Sequence, residues 1–357
     1  MDRAFWRGKR VFLTGHTGFK GGWLSVWLTD MGAHVTGFSL PPATEPNLYT
    51  AAQIGRRVDS IEADIRDPDT LRSSLAAARP DIVFHMAAQP LVRRSYREPV
   101  ETYATNVLGT VHVLEAVRAF GGTRAVINVT SDKAYENREV LWGYRETDAM
   151  GGRDPYSSSK GCAELVAAAY RRSYFETGET RLASVRAGNV IGGGDWAEDR
   201  LIPDCLRALL KGEPIVIRRP QAIRPWQHVL EPLAGYLQYA QALFEQHDVP
   251  PALNFGPLEA DVQPVGRVVE KIVELWGGNT RVDLESDSGP HEASLLTLDS
   301  TLARHKLQWQ PRLRLNEALS YTVEWYKRFA AGDQMGTVTI AQIERYESLR
   351  PIDFTIA

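Results

Sequence analysis

Tyr156 and Lys160 stand four residues apart in Asp154-Pro155-Tyr156-Ser157-Ser158-Ser159-Lys160, the opening of a helix-like stretch. That spacing puts both side chains on one helical face. A tyrosine hydroxyl ordinarily ionises near pH ~10. A neighbouring ammonium favours the phenolate and makes it a usable base closer to neutral pH. About 25 residues earlier, Val129-Thr130-Ser131-Asp132-Lys133 ends an apolar run. A hydroxyl at Ser131 would hold a substrate alcohol and that phenolic oxygen. Together these groups could remove a hydride and a proton from a secondary alcohol. A bare YxxxK is usually surface helix, so its meaning depends on its company.

That company is a glycine turn. Thr14-Gly15-His16-Thr17-Gly18-Phe19-Lys20-Gly21 places glycines at 15, 18 and 21, between a strand-like run and a helix-like one. Glycine permits the tight turn and close approach to a pyrophosphate, which the helix N-terminus then receives. The plain alternative is a glycine-rich connection with no ligand. A dinucleotide bound here would bring a nicotinamide cation to favour the phenolate further. The acid often found on the adenosine ribose is missing: the region reads Phe38-Ser39-Leu40-Pro41-Pro42, and the next acid is Glu45. No Arg stands there for a 2′-phosphate. NAD is therefore expected, while Lys20 and His16 leave NADP open. Asp64, in Asp64-Ile65-Arg66-Asp67, either accepts from the adenine amino group or caps the helix that Pro68 begins. Ala87-Ala88 would let cofactor pass close to backbone. His85 reads as a packed core histidine.

The elements that must position these groups follow a βα rhythm. Arg10–Thr14, His34–Phe38, Val58–Ala63, Ile82–Met86, Ala125–Val129 and Leu182–Arg186 are short apolar runs, and Gly22–Met31 reads as a helix. The fold class implied is α/β, a Rossmann-type doubly wound parallel sheet with a smaller, loop-rich C-terminal substrate region. Residues 1–188 would form the dinucleotide-binding domain, with a return segment near 228–256 that includes Ala252–Phe255. Residues 189–227 and 257–335 would form the substrate domain, and 336–357 a C-terminal tail. After about Asn189, prolines at 203, 214, 220, 225 and 232 break regularity, and one helix is clear, running from Val265 to Trp276.

Composition removes several classes. Lys+Arg 41 against Asp+Glu 44 gives a net charge of −3 over 357 residues. Such a surface offers no footprint for bulk nucleic acid or anionic membrane. No apolar run approaches the roughly 20 residues of a membrane span. The run after the basic start is too short for a signal peptide. Cys162 and Cys205 have no CxxC or Cys/His company, so neither a metal site nor a disulfide framework is expected. Both read as buried small residues in a reducing compartment, and a cytoplasmic protein is the default.

The motifs TGHTGFKG, DIRD, HMAAQ, TSDK, YxxxK, VRAGNVIGGGDW and RPWQHVLEP occur in order over residues 11–232. In this set the chain resembles an extended short-chain dehydrogenase/reductase of the nucleotide-sugar class, and the cover extends to about residue 330. GHTGFKGGWL, PPATEPNLY, TSDKAYEN and RPWQHVLEP resemble more narrowly its 4,6-dehydratases of the CDP-glucose branch. The resemblance implies conversion of CDP-glucose to CDP-4-keto-6-deoxyglucose and water. Tyr156 would take the O4 proton while hydride leaves C4 for NAD, and the hydride would return to C6. Asp132, protonated, would be the acid at the C6 hydroxyl. Lys133 stands where dTDP-glucose dehydratases carry Glu. It is either the C5 base or a charged stabiliser of the enolate. The implied cofactor contacts are Gly15, Thr17, Gly18, Phe19, Ser39, Asp64, Ile65, Ala87, Ala88, Gln89, Asn106, Tyr156 and Lys160. Gln89, Ser131, Asn189, Leu201 and Arg224 would meet the substrate, and Arg218 and Arg219 either join Arg224 on the diphosphate or are simply exposed arginines. Trp196 and Trp226 are open between packing and ligand contact. Cys162, Ala163, Leu165, Val166, Ala169 and Tyr170 give the YxxxK helix an apolar surface, which fits a homodimer, a dimer of dimers, or simple burial. The product class implies deoxysugar supply of the kind used in lipopolysaccharide O-antigen. Rival readings are a 4-epimerase, a dehydratase for a dTDP-, GDP- or UDP-sugar, and a cofactor-binding regulator without chemistry.

Overall fold

The structure, a computed structural model, describes residues 1–278, 280–285 and 295–352. Six runs form parallel strands: β1 (Arg10–Thr14), β2 (His34–Ser39), β3 (Asp59–Glu62), β4 (Ile82–His85), β5 (Ala125–Val129) and β6 (Arg181–Ala187). The strand Ala252–Phe255 adds to the edge beside β6, so the seven-stranded order is Ala252–Phe255, β6, β5, β4, β1, β2, β3. The central strands are buried on both faces and are therefore apolar without alternation. Edge strand β3, largely exposed, is polar. Val11, Leu13, Ile82, Phe84 and Ile127 enter one core, and Phe12, Val83 and Val126 enter the other. Helices Phe19–Asp30 and Leu230–Phe244 cover the first face. Pro68–Ala78, Gly109–Phe120 and Pro155–Tyr174 cover the second. β1 lies between β2 and β4, so chain order reverses there. That reversal opens the crevice in which such sheets take ligands.

Several sequence expectations change. The helix after the glycine turn starts at Phe19, with Gly18 as its N-cap, rather than at Gly22. A Cβ on Gly21 would come 2.1 Å from the Gly15 carbonyl oxygen. Helix and turn can therefore touch only if residue 21 is glycine.

The second half is also more helical than its prolines suggest. It holds Leu201–Lys211, Leu230–Phe244, Val265–Trp276, Thr301–Leu307, Leu315–Ala330 and Met335–Ser348. Pro203 and Pro232 sit in first turns, where no intrahelical N–H is lost. Residues expected to be a tail contribute most of the Met335–Ser348 helix, which buries Val338, Ile343 and Tyr346. Its Tyr346 packs edge-on against Trp27. Residues 353–357 lie outside the described residues.

Cys205 is buried, but Cys162 is half-buried rather than fully so, because its helix face looks partly outward. Among the described residues, no helix is long and apolar enough to cross a membrane, and no cluster of ligating side chains could hold a metal.

Candidate active site

A cleft of about 2090 Å³ opens at the C-terminal ends of the strands. One small ligand usually occupies roughly 300–1,000 Å³, so two can lie here together. Gly15, Thr17, Gly18, Phe19, Ser39, Asp64, Ile65, Ala87, Ala88, Gln89, Ser131, Asp132, Lys133, Tyr156, Lys160, Asn189, Leu201 and Arg224 all line it. Asn106 does not. It stands behind the lining, accepting from Gln89 N at 2.9 Å and donating to Gln89 O at 3.0 Å and Ser159 Oγ at 2.9 Å. The Gln89 side chain is likewise turned inward, onto Leu91 and Thr102. Both side chains are engaged with protein partners.

The dinucleotide end is built from backbone. Gly15 has φ +81°, and a Cβ there would lie 2.8 Å from Ala87 N. Gly18 has only the Gly15 carbonyl oxygen near its Cβ position, at 3.4 Å. The Phe19–Asp30 helix has no side-chain cap and no acid in its first turn. Its unpaired N–H groups suit a diphosphate. Thr17 Oγ1 ties the turn to the end of β2 through Ser39 Oγ and Leu40 O, both at 2.8 Å. Asp67, not Asp64, caps the Pro68–Ala78 helix. Asp64 instead takes the Arg66 guanidinium at 2.5 Å, and that hydrogen bond holds its carboxyl below the ordinary range.

Neither basic residue of the turn is placed for a 2′-phosphate. His16 is buried with Nε2 2.7 Å from Ser60 Oγ, and burial pushes it down to about 4, so it is neutral. Lys20 points to the other side, with Nζ donating to the Tyr236 hydroxyl at 3.1 Å. His85 is a core residue between Thr14 and Thr110, pushed by burial down to about 3.

The reacting groups come from two elements. Ser131 follows β5 and caps the short turn Asp132–Ala134. Its hydroxyl donates to Asp132 Oδ1 at 2.9 Å and accepts from Lys133 N at 3.2 Å. Asp132 Oδ2 is buried and has no hydrogen-bond partner among the described residues. The Pro155–Tyr174 helix begins with Asp154 as N-cap and Pro155 in its first turn, which sets Tyr156 and Lys160 over the same space. Ser95 Oγ accepts from Tyr156 N at 3.1 Å.

The charges here differ from the sequence expectation. Burial pushes the Tyr156 phenol up to about 12, against a hydrogen bond with Ser131. Asp132 adds to the rise, and the cation opposing it is Arg200 rather than Lys160. Burial pushes the Lys160 ammonium down to about 8, against the pull of the Glu164 carboxylate. Arg200, held by Asp195 at 2.9 Å, escaped the motif reading. Its signal was a lone cation at the head of a helix, directly before Leu201.

Arg224 lies on the strand Ile223–His228 and donates from Nη1 to Ile223 O at 2.9 Å. Arg218 pairs with Glu285 at 3.2 Å. Trp196 packs on Tyr326 and Phe329, and Trp226 donates to Gln263 O, while both keep an edge on the cleft.

A family model described as GDP-mannose 4,6 dehydratase matches residues 12–322. The chain is 53% identical over 354 residues to CDP-glucose 4,6-dehydratase of Salmonella typhimurium, covering 98% of this chain and 99% of that one. It is 26% identical over 338 residues to dTDP-glucose 4,6-dehydratase of Xanthomonas campestris pv. campestris, covering 88% and 92%. Among solved structures it superposes on dTDP-glucose 4,6-dehydratase of Bacillus anthracis in complex with NAD. The TM-score is 0.75 at 21% identity, over 89% of this chain and 96% of that one, which speaks for the fold.

Proposed function

The chain belongs to the GDP-mannose 4,6 dehydratase family, and from that premise we propose that it is an NAD-dependent hydro-lyase converting CDP-glucose to CDP-4-keto-6-deoxyglucose and water. The single observation that carries the reading is a convergence: Ser131, Asp132, Lys133, Tyr156 and Lys160 share one cleft with an uncapped glycine turn. The CDP and glucose assignments lean on the Salmonella relative.

The turn fits a dinucleotide, with Gly15 and Gly18 leaving room and helix N–H groups facing the diphosphate. When bound, NAD supplies the hydride acceptor for C4 and, once reduced, the donor for C6. Ser131 holds the O4 hydroxyl and Tyr156 takes its proton. A phenol raised to about 12 even with Arg200 opposing the rise needs further positive charge to do so near neutral pH, which the nicotinamide cation of bound NAD would supply. Once C4 is a ketone, the C5 proton is acidic, and Lys133 removes it and returns it to C5 as hydride reaches C6, while the proton taken by Tyr156 replaces the one that Asp132 gives up. Asp132 gives a proton to the departing C6 hydroxyl, with its buried Oδ2 the oxygen not already engaged. A charge-assisted contact from Arg224 orients the diphosphate, and Asn189 and Leu201 complete the sugar-nucleotide wall.

In this reading residues 1–188 with the 228–256 segment serve the cofactor, and 189–227 with 257–335 serve the sugar nucleotide. The protein acts as a homodimer. Val100, Leu108, Leu165 and Tyr174 are 82%, 54%, 63% and 54% exposed, on helices that pack side by side. Two cysteines outside any disulfide fit a cytoplasmic setting.

Incubation with CDP-, dTDP-, UDP- and GDP-glucose and with GDP-mannose tests the assignment. The 4-keto-6-deoxy product absorbs after alkali, and CDP-glucose should be turned over fastest. A faster reaction with any other nucleotide sugar would move the protein to that substrate.

A further inference from the structure

Behind the cleft, Glu164 and Arg186 form an ion pair with side chains only 6% and 5% exposed. Arg186 presents its fork to both carboxylate oxygens, Nε to Oε1 at 2.8 Å and Nη2 to Oε2 at 2.9 Å. Each partner also holds one end of a short segment. Thr130 Oγ1 donates to Glu164 Oε1 at 2.5 Å, and Arg186 Nη1 donates to the Tyr135 hydroxyl at 2.6 Å. Between Thr130 and Tyr135 lie Ser131, Asp132 and Lys133. The Tyr135 hydroxyl donates onward to Asn254 Oδ1 at 2.8 Å, in the edge strand. Glu164 itself is one turn past Lys160 on the Pro155–Tyr174 helix.

We propose that Glu164, with Arg186, is a positioning residue that locks the Ser131-Asp132-Lys133 segment to the helix carrying Tyr156 and Lys160. The inference rests on the assignment of those five residues as the reaction centre. Stability alone explains the pair poorly, since apolar replacements of buried ion pairs are often neutral or better. Neither side chain lines the cleft, so neither touches substrate. The pair also carries charge to the site. Burial pushes the Glu164 carboxyl up, but the Arg186 fork and Thr130 pull it below its ordinary value. It therefore stays an anion, and that anion opposes the burial-driven fall of Lys160.

Glu164→Gln and Glu164→Asp test this beside the parent, each labelled with [ε-13C]lysine. The Lys160 resonance is assigned by its loss in Lys160→Arg. In Glu164→Gln the Lys160 midpoint should move down by about one pH unit. The alkaline limb of kcat should follow it, and kcat should fall about tenfold or more with KM for CDP-glucose within about twofold. Glu164→Asp keeps the charge but not the reach, so the midpoint should stay while kcat falls. An unmoved Lys160 midpoint in Glu164→Gln, or a raised KM at unchanged kcat, overturns the proposal. If Glu164→Gln does not fold, Glu164→Asp decides, and a shifted midpoint or an unchanged kcat overturns it. The NMR titration needs no substrate, so a parent that ignores CDP-glucose would count against the assigned reaction alone.

Discussion

The two walls of the cleft are made of different material. The wall beneath β1 and β2 offers glycine surface and helix N–H groups, and its polar side chains, Thr17 and Ser39, bond to each other. The opposite wall offers long charged side chains held by partners: Arg200 by Asp195 and Arg218 by Glu285, with Arg224 alongside. A backbone wall cannot be retuned at one residue without disturbing the fold. A side-chain wall can be recut for another sugar nucleotide while the sheet stays intact. This explains how one architecture can serve relatives whose substrates carry different bases.

Substitutions on each wall and between them separate these cases. Where the walls meet, Tyr156→Phe should lower kcat by about 10³-fold with folding unchanged, as loss of a general base does. Single-turnover reduction of NAD at the parent rate would remove Tyr156 from its role. On the backbone wall, Gly15→Ala puts a Cβ against Ala87 N at a left-handed φ. NAD affinity should drop by about 100-fold or more, and Tm should fall with it, because the left-handed backbone alone costs roughly 1–2 kcal/mol. Weaker NAD binding at an unchanged Tm would break the contrast. On the side-chain wall, Arg224→Ala should raise KM roughly tenfold or more while Tm and NAD affinity hold, the size expected for one hydrogen bond to a charged group. A matching loss of stability would show that both walls are structural.

The last effect, on stability alone, concerns what the side-chain wall hangs on. Glu231 follows the strand bearing Arg224 and accepts from Arg312 N at 2.8 Å, Leu313 N at 2.7 Å and the Tyr346 hydroxyl at 2.9 Å. Burial pushes its carboxyl up to about 7 against those hydrogen bonds, from an ordinary 4.5. The folded state therefore favours the protonated acid. The stability it contributes is full below pH 4.5 and is lost as pH rises through about 7. Glu231→Gln should flatten the Tm profile between pH 5 and 8, and its unfolding free energy at pH 8 should exceed the parent's by up to about 3 kcal/mol. Parallel Tm profiles for parent and variant would contradict this.

Much of the first wall was legible because its signals are local. A glycine turn between a strand and a helix, and a Tyr and Lys one turn apart, declare themselves within a few residues. β1, β2 and β4 to β6 are readable for the same reason, as apolar runs set by burial, whereas β3 is polar and largely exposed. The side-chain wall was less so. Pro203 and Pro232 read as breakers, yet each sits in the first turn of a helix. Glu164 and Arg186 come together only through the packing of a helix on β6, which no periodicity announces. Spacing shows a lysine near Tyr156 but not the depth of burial that raises the phenol. Asn106 was assigned to the cofactor on resemblance, and only the fold shows it standing one layer behind.

The central claim is that hydrogen removed from C4 of the hexose returns to C6 of the same molecule. CDP-[4-2H]glucose converted in ordinary water tests it directly, with the product examined by NMR and mass spectrometry. The account predicts one deuterium in the C6 methyl group. Deuterium retained at C4, or released to water, would contradict it.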